Sequence, residues 1–258
     1  HVKDLSRYGN NGSCSGTICP IWNATGKYNG AFEFDGIDDY ITISDADSLD
    51  ISNEITIAAW IYPKSDFIGY AAHPINKWTE TADANYVLYY FGTTSGENRN
   101  IGFLANANGT WQRISPGHVV SLNQWYYVIL SYKSTTGGYL YINGLPQGSS
   151  VGSGLLATTT ANLNIGGPSS FNGSIDEVRI WNRSLNASEI KEQYYSNLYK
   201  FNQTQWYLYV NQSNLTNASY TYFACAKDDS LENCTDTRSL NVSPDTTNPF
   251  VFLLSPPN

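Results

Sequence analysis

Two acidic stretches concentrate the side chains that could do chemistry. One lies in "FNGSIDEVRIWNRSLNASEI", residues 171–190, where Asp176 and Glu177 interrupt a regular apolar alternation. The other is "FDGIDDY", residues 34–40, which sets Asp35, Asp38 and Asp39 around Gly36 on a turn. Neighbouring carboxylates can form an acid–base pair, hold a hard cation, or decorate a half-exposed strand. Strict alternation puts Ile175, Glu177, Arg179 and Trp181 on one face and Asp176, Val178 and Ile180 on the other. Asp176 is therefore expected to point inward among aliphatic residues, where it needs backbone donors or a cation.

Recognisable catalytic motifs are missing. There is no Gly-x-Ser-x-Gly elbow, no His-Glu-x-x-His and no glycine-rich loop opening a helix, and His1, His73 and His118 are scattered. No catalytic residue is assigned, and the chain is read as a non-enzyme. Aromatic residues are the remaining candidates for ligand contact. Trp60, Trp125 and Trp181 lie in apolar strands and are expected in the core. Trp78 and Trp111 lie in the polar stretches "INKWTETADAN" and "NANGTWQRIS", where each ring either packs at an edge or stacks on a sugar or protein surface. The segment 64–85, with Phe67, Tyr70, His73 and Trp78, reads as a long loop between two strong strands and as the first place to seek a ligand.

A net charge of -8 and a pI near 4.7 argue against nucleic acid, which needs clustered Lys and Arg. Acidic loops in a β protein suit calcium instead. Four cysteines fall as two close pairs, Cys14 with Cys19 and Cys225 with Cys234, and the expected disulfides imply an oxidising compartment. Twelve glycosylation tripeptides begin at Asn11, Asn23, Asn108, Asn172, Asn182, Asn186, Asn202, Asn211, Asn214, Asn217, Asn233 and Asn241. They indicate exposed surface in a secreted glycoprotein; the alternative is an Asn- and Thr-rich strand surface. No apolar run is long enough to span a membrane. A chain that starts at His and has no Met reads as a processed or excised part of a longer secreted product, placed outside the cell or at its surface.

These residues need a scaffold, and the sequence supplies strands. Tyr (20), Trp (7), Gly (21) and only 14% charged residues favour strands and turns over surface helices. The clearest strands are 30–36, 39–43, 55–62, 85–92, 99–105, 125–133, 138–144, 162–167 and 173–182. Strands at this spacing describe a two-sheet sandwich. Asn143-Gly144 suits a tight hairpin turn. One helix is expected in "ASEIKEQYYSNL", capped by Asn186 with Glu189 three residues on. It closes a first domain over 1–198. Strands at 205–211, 219–228 and 237–243 make a partial second domain over 199–243. Residues 244–258 are a Pro- and Thr-rich linker with an apolar strand-like run, Phe250, Val251, Phe252, Leu253 and Leu254.

In order, "FEFDGIDDYITI", "ITIAAWIYP", "LNQWYYVILSY", "GYLYINGLPQG", "LNIGG" and "FNGSIDEVRIWNRSLNASEI" resemble the laminin G-like, concanavalin A-like jelly-roll family. The resemblance runs over about residues 3–198, with "DLSRYGNNG" as its opening strand and turn. It implies a two-sheet jelly roll and a structural calcium held by Asp35, the Gly36 carbonyl, Asp38 and Asp176. Retaining glucanases of this fold carry two Glu at alternating positions of one strand, and Ser174 and Val178 stand there instead. The tail resembles the C-terminal half of an immunoglobulin-like repeat of prokaryotic surface proteins, lacking its front half. Two functions follow from the resemblance. One is an adhesion or glycan-binding module of a cell-surface protein, its partner a glycan or surface protein. The other is a filament subunit whose partners are identical chains, joined by donation of the strand Phe250 to Leu254; the same strand could instead complete its own half-sandwich.

Overall fold

A computed structural model describes residues 2–28, 30–78, 84–115, 117, 119–148, 152–167, 171–200, 206–210, 215–227 and 232–243. The proposed donor strand Phe250 to Leu254, with Asn202, Asn211 and Asn214, lies outside the described residues. In chain order the first strands are β1 (Gly12–Ser13), β2 (Ile21–Asn23), β3 (Ala31–Asp35), β4 (Ile41–Ile43), β5 (Glu54–Pro63), β6 (Ala71–Trp78) and β7 (Ala84–Phe91). They continue with β8 (Ile101–Ala107), β9 (Thr110–Ile114), β10 (Tyr126–Lys133), β11 (Gly137–Ile142), β12 (Leu145–Pro146), β13 (Leu163–Ile165) and β14 (Asn172–Trp181). Two seven-stranded sheets result, in the orders β1-β4-β13-β6-β7-β8-β9 and β12-β11-β10-β5-β14-β3-β2. Neighbouring strands pair antiparallel, the arrangement of a jelly-roll sandwich.

The two inner faces share one core. From β5 come Ile55, Ile57, Ala59 and Ile61; from β7 and β8 come Tyr86, Leu88, Tyr90 and Phe103. The other face of the second sheet is also covered. Ala58, Trp60, Tyr127 and Ile129 pack there with Leu185 and with Ile190 of a short helix, α1 (Ala187–Tyr195). Burial on both sides explains why β5 reads as the near-continuous apolar run "ITIAAWI". Trp60 is buried in this outer layer, and Trp125 and Trp181 pack against it. The helix begins as expected: Asn186 Oδ1 accepts from the Ser188 and Glu189 amides, and Glu189 accepts from the Asn186 amide. It ends at Tyr195, where Ser196 turns extended into β15 (Ser196–Lys200).

One expectation needs correction. Residues 64–85 are not one long loop, because β6 occupies Ala71–Trp78 within them. Pro74 and a register shift between Ala72 and Ile75 break its alternation, and its inward Lys77 disguises it further. "NANGTWQRIS", read only as a polar stretch, is a hairpin, with Asn108 and Gly109 at φ 50° and 74° turning β8 into β9. The Asn143-Gly144 turn forms as read, at φ 52° and 75°.

The alternation drawn for β14 also fails. Its register against β5 shifts between Asp176 and Arg179, and Glu177 adopts φ 50°. This bulge reverses the side-chain order beyond it. Ile175, Val178 and Ile180 therefore meet the sandwich core, whereas Asp176 pairs with Trp60 on the opposite, helix-covered side. Asp176 does not share a face with Val178 and Ile180.

The chain divides into two compact units, His1–Tyr209 and Val210–Asn258. Beyond β15 lie β16 (Trp206–Val210), β17 (Ala218–Tyr222), β18 (Cys225–Lys227), β19 (Glu232–Cys234) and β20 (Arg238–Val242). They pair as separate two-stranded ribbons, β15-β16, β17-β20 and β18-β19. A Cys225–Cys234 disulfide crosses the last ribbon, and Cys14–Cys19 closes a loop before β2. Among the described residues no helix is long and apolar enough to cross a membrane.

Candidate ligand-binding face

The acidic turn between β3 and β4 brings three carboxylates together. Oxygens of Asp35, Asp38 and Asp39 lie within 4.8 Å of one another, with Asp39 buried and the other two exposed. The turn is tied locally. Asp39 Oδ2 accepts from the Asp35 amide at 2.8 Å, and Asp35 Oδ1 accepts from the Ile37 amide at 2.7 Å. Gly36 holds φ 78°, and its missing side chain leaves room for Asn172, which donates Nδ2 to the Asp35 carbonyl. Burial, then the charges of Asp35 and Asp38, push the Asp39 carboxyl above its usual range. A cation would relieve that repulsion.

Asp176 is not part of this group. On β14 it is Asn172 that stands opposite Asp35, four residues before Asp176. The Asp176 carboxylate instead accepts from the Tyr28 amide at 2.9 Å, anchoring the end of the β2–β3 loop beneath Trp60. Of the two ways to satisfy an inward Asp, backbone donation is the one realised. Burial raises its pKa to about 6 despite these donors. Nearby, Arg179 pairs with Glu177 at 2.6 Å and bonds Asn197 and Gln193, which engages the second acid of the pair structurally.

The aromatic candidates meet on the outward face of the first sheet. Tyr86 and Ala105 are cross-strand partners that point into the core, so the residues beside them, Asn85 and Asn106, lie on the outward face. Asn106 is paired in register with Trp111 of β9. Trp78, at the end of β6 and paired with Ala84, packs on this face against Val87 and Tyr89. One cross-strand row thus runs Asn85, Asn106, Trp111, and Trp78 stands beside its β7 end across a register shift. Trp111 is 39% exposed and Trp78 half-buried.

Polar groups in this row are unsatisfied. Asn85 is fully buried with neither amide atom partnered, and Asn106 Oδ1 is also unpartnered. The next row holds His73, whose ring meets Trp78 edge-on at 5.2 Å and Tyr89 at 4.8 Å. Burial lowers the His73 pKa to about 4, so the ring is neutral near pH 7, and its Nδ1 has no partner. Tyr89 stacks on Phe91, and Arg113 lies 4.4 Å from the Phe91 centroid while paired to Glu97 at 2.5 Å. Buried polar atoms without partners disfavour the folded protein.

Sequence reasoning singled out the two Trp residues but missed Asn85 and Asn106. The available signal was weak: polar residues at alternate positions of otherwise apolar strands. Among the tripeptide asparagines, Asn11, Asn108, Asn182, Asn186, Asn217 and Asn241 are exposed, and Asn23 and Asn172 are half-buried. Asn23 and Asn172 donate their side-chain nitrogens to Glu33 and Asp35.

Comparison with curated proteins finds no match. Solved structures with the same fold include the binding domain of botulinum neurotoxin serotype G, 17% identical over 74% of this chain with a TM-score of 0.58. Another is the binding domain of Paraclostridial mosquitocidal protein 1, at 18% identity, 86% coverage and a TM-score of 0.62. The chain spans about half of each toxin domain, 47% and 55%. A third is domain 4 of AbnA, an extracellular arabinanase of Geobacillus stearothermophilus, solved with arabinotriose; it is 21% identical over 69% of this chain and 81% of that domain, with a TM-score of 0.54. Residues 35–191 match the laminin G-like family model described as the concanavalin A-like lectin/glucanases superfamily, and the chain belongs to that family.

Proposed function

We propose that the protein is a noncatalytic extracellular binding module that takes glycan, free or carried on a surface protein, on the outward face at β9. Trp111 carries this reading: its indole is 39% exposed on the outward face, where it can stack on a sugar, and it is paired in register with Asn106. Ser174 and Val178 on β14 leave no glucanase pair, which supports a role without catalysis. The binding domains among its structural neighbours support the same reading. Two disulfides and the exposed glycosylation tripeptides favour a secreted glycoprotein.

A structural calcium belongs to this proposal. Three hard carboxylate oxygens within 4.8 Å fit its chemistry, with Asp35, Asp38 and Asp39 as the holders and Gly36 supplying a backbone carbonyl beside them. Asp176, committed to the Tyr28 amide, is left out. One experiment tests both parts: a glycan array probed with the intact chain and with Trp111→Ala, each in calcium and in chelator. Binding that falls at least about tenfold in Trp111→Ala supports the face. Binding untouched by the substitution rejects it, and a melting temperature indifferent to chelator rejects the calcium.

A second reading, a filament subunit built by strand addition, draws on the small unit. Tyr222, Phe223 and Leu240 are 51%, 62% and 45% exposed along a two-stranded ribbon with open edges. Electron microscopy of the intact chain separates the two readings.

A further inference from the structure

We propose that Asn182 is a glycosylation site whose first, uncharged sugars settle into the cleft that Asn182 lines with Tyr8, so that one glycan becomes part of the protein's own structure. The inference goes beyond the ligand-binding reading, because this glycan is covalently held and lies away from β9. It draws only on the secreted-glycoprotein part of that reading.

The acceptor comes first. Of the tripeptides that the structure describes in the large unit, those at Asn11, Asn108 and Asn186 have side chains that accept from the amides of Asp4, Leu155 and Ser188. Those at Asn23 and Asn172 donate to Glu33 and to the Asp35 carbonyl. Asn182 follows β14 directly, is exposed, and makes no hydrogen bond to another described residue. Its Nδ2 is free for a transferase. Attachment joins Nδ2 to the anomeric carbon of a phosphate- or diphosphate-activated sugar. The carbon–oxygen bond to the phosphate breaks, the phosphate leaves with the electron pair, and the amide gives one proton to the transferase's base.

The cleft supplies the seat. Its volume is about 380 Å³, at the small end for a ligand site, with room for the first sugar and part of the next. Asn182, Tyr8, Asp47, Ser48, Ser52 and Asn53 line it, and each of them reaches solvent. Tyr8 is 48% exposed although the Arg7 guanidinium lies 5.0 Å from its ring centroid, and its ring can pack on the apolar face of a sugar. Asn10 donates to Ser48 at 3.0 Å, which holds the loop carrying Tyr8 against the short 3-10 turn Asp47–Leu49. Two lining acids are already engaged, Glu54 by Lys133 at 2.8 Å and Asp50 by Lys77 at 3.2 Å. Asp47 makes no ion pair among the described residues, and its carboxylate can accept from sugar hydroxyls. No Lys or Arg lines the cleft among the described residues, so it suits an uncharged sugar and repels a uronic or sulfated one. Tethering makes such a contact sufficient: a sugar fixed at Asn182 meets the cleft at a local concentration of the order of millimolar, where a free monosaccharide would not stay.

The test uses the full chain secreted by a host that glycosylates asparagine. Trypsin places Asn182 in the peptide 180–183 and Asn186 in the peptide 184–191, so mass spectrometry reads the two sites separately. The peptide 180–183 should carry a glycan that begins with uncharged sugars. Melting temperatures are then compared before and after enzymatic release of the glycans, for the intact chain, Asn182→Gln and Tyr8→Ala. Release should lower the melting temperature of the intact chain by about 3 °C, the size of one aromatic contact in a domain of this length, and should move the two variants by less than about 1 °C. An unmodified peptide 180–183 would overturn the site. A modified peptide with equal shifts in all three proteins would overturn the seat, and a charged first sugar would overturn the class. Each of these failures leaves the Trp111→Ala glycan-array result standing, so the binding-module reading is judged independently.

Discussion

The direction in which Asp176 points is decided by the residue that follows it. Alternation along "SIDEVRIW" holds only if every residue is extended, and Glu177 at φ 50° breaks it. Nothing in the residue types announces that, since Glu rarely takes a left-handed backbone. The carboxyl ends beneath Trp60, buried, with a pKa raised to about 6 by that burial against about 3.9 in an unfolded chain. The native state therefore binds the proton more tightly, so the associated stability is full below about pH 4 and is lost as pH rises through about 6. Asp176→Asn keeps an acceptor for the Tyr28 amide and abolishes the titration. Urea unfolding between pH 4 and 8 should show the native protein losing about 3 kcal/mol relative to Asp176→Asn across that window. Parallel pH profiles for the two proteins would refute it.

Strand β6 shows why some elements escape a reading by pattern. "AAHPINKW" has a proline, a buried His and a charged Lys, and none of these argues for a strand in a sandwich. Packing overrides each: Pro74 sits at a register shift, His73 is ringed by Trp78 and Tyr89, and Lys77 is fully buried but paired. The Lys77 Nζ lies 2.5 Å from Asp45, 3.2 Å from Asp50, 2.9 Å from the Thr159 carbonyl and 2.7 Å from that of Ala161. It pins the segments after β4 and before β13 to the strand that carries Trp78. Lys77→Met fills the space and leaves two carboxylates facing carbonyl oxygens. Because both Asp side chains keep some solvent, the loss should fall near about 3 kcal/mol, the low end for breaking a buried pair. A loss below about 1 kcal/mol on chemical denaturation would show that the ion pair is not what holds these segments.

For the chain as a whole, nine of the sandwich's fourteen strands could be read from local information such as alternation and the Asn143-Gly144 turn, and so could its capped helix and its Cys14–Cys19 loop. The candidate face could not. Trp78 and Trp111 are far apart in sequence, and only the pairing of β6 through β9 brings them to the same outward face. Assembly is the remaining question at this level. Discrete particles of single-chain mass by electron microscopy are expected of a binding module. Filaments that vanish on removing residues 250–258 would establish the polymer instead. The Lys77 cage has a broader meaning for the sandwich. Two carboxylates and two carbonyls make a donor set that a metal ion could fill, and here the positive charge travels on the chain itself. Its stoichiometry is fixed at synthesis, so that corner of the sandwich stays closed whatever the mineral content of the surroundings.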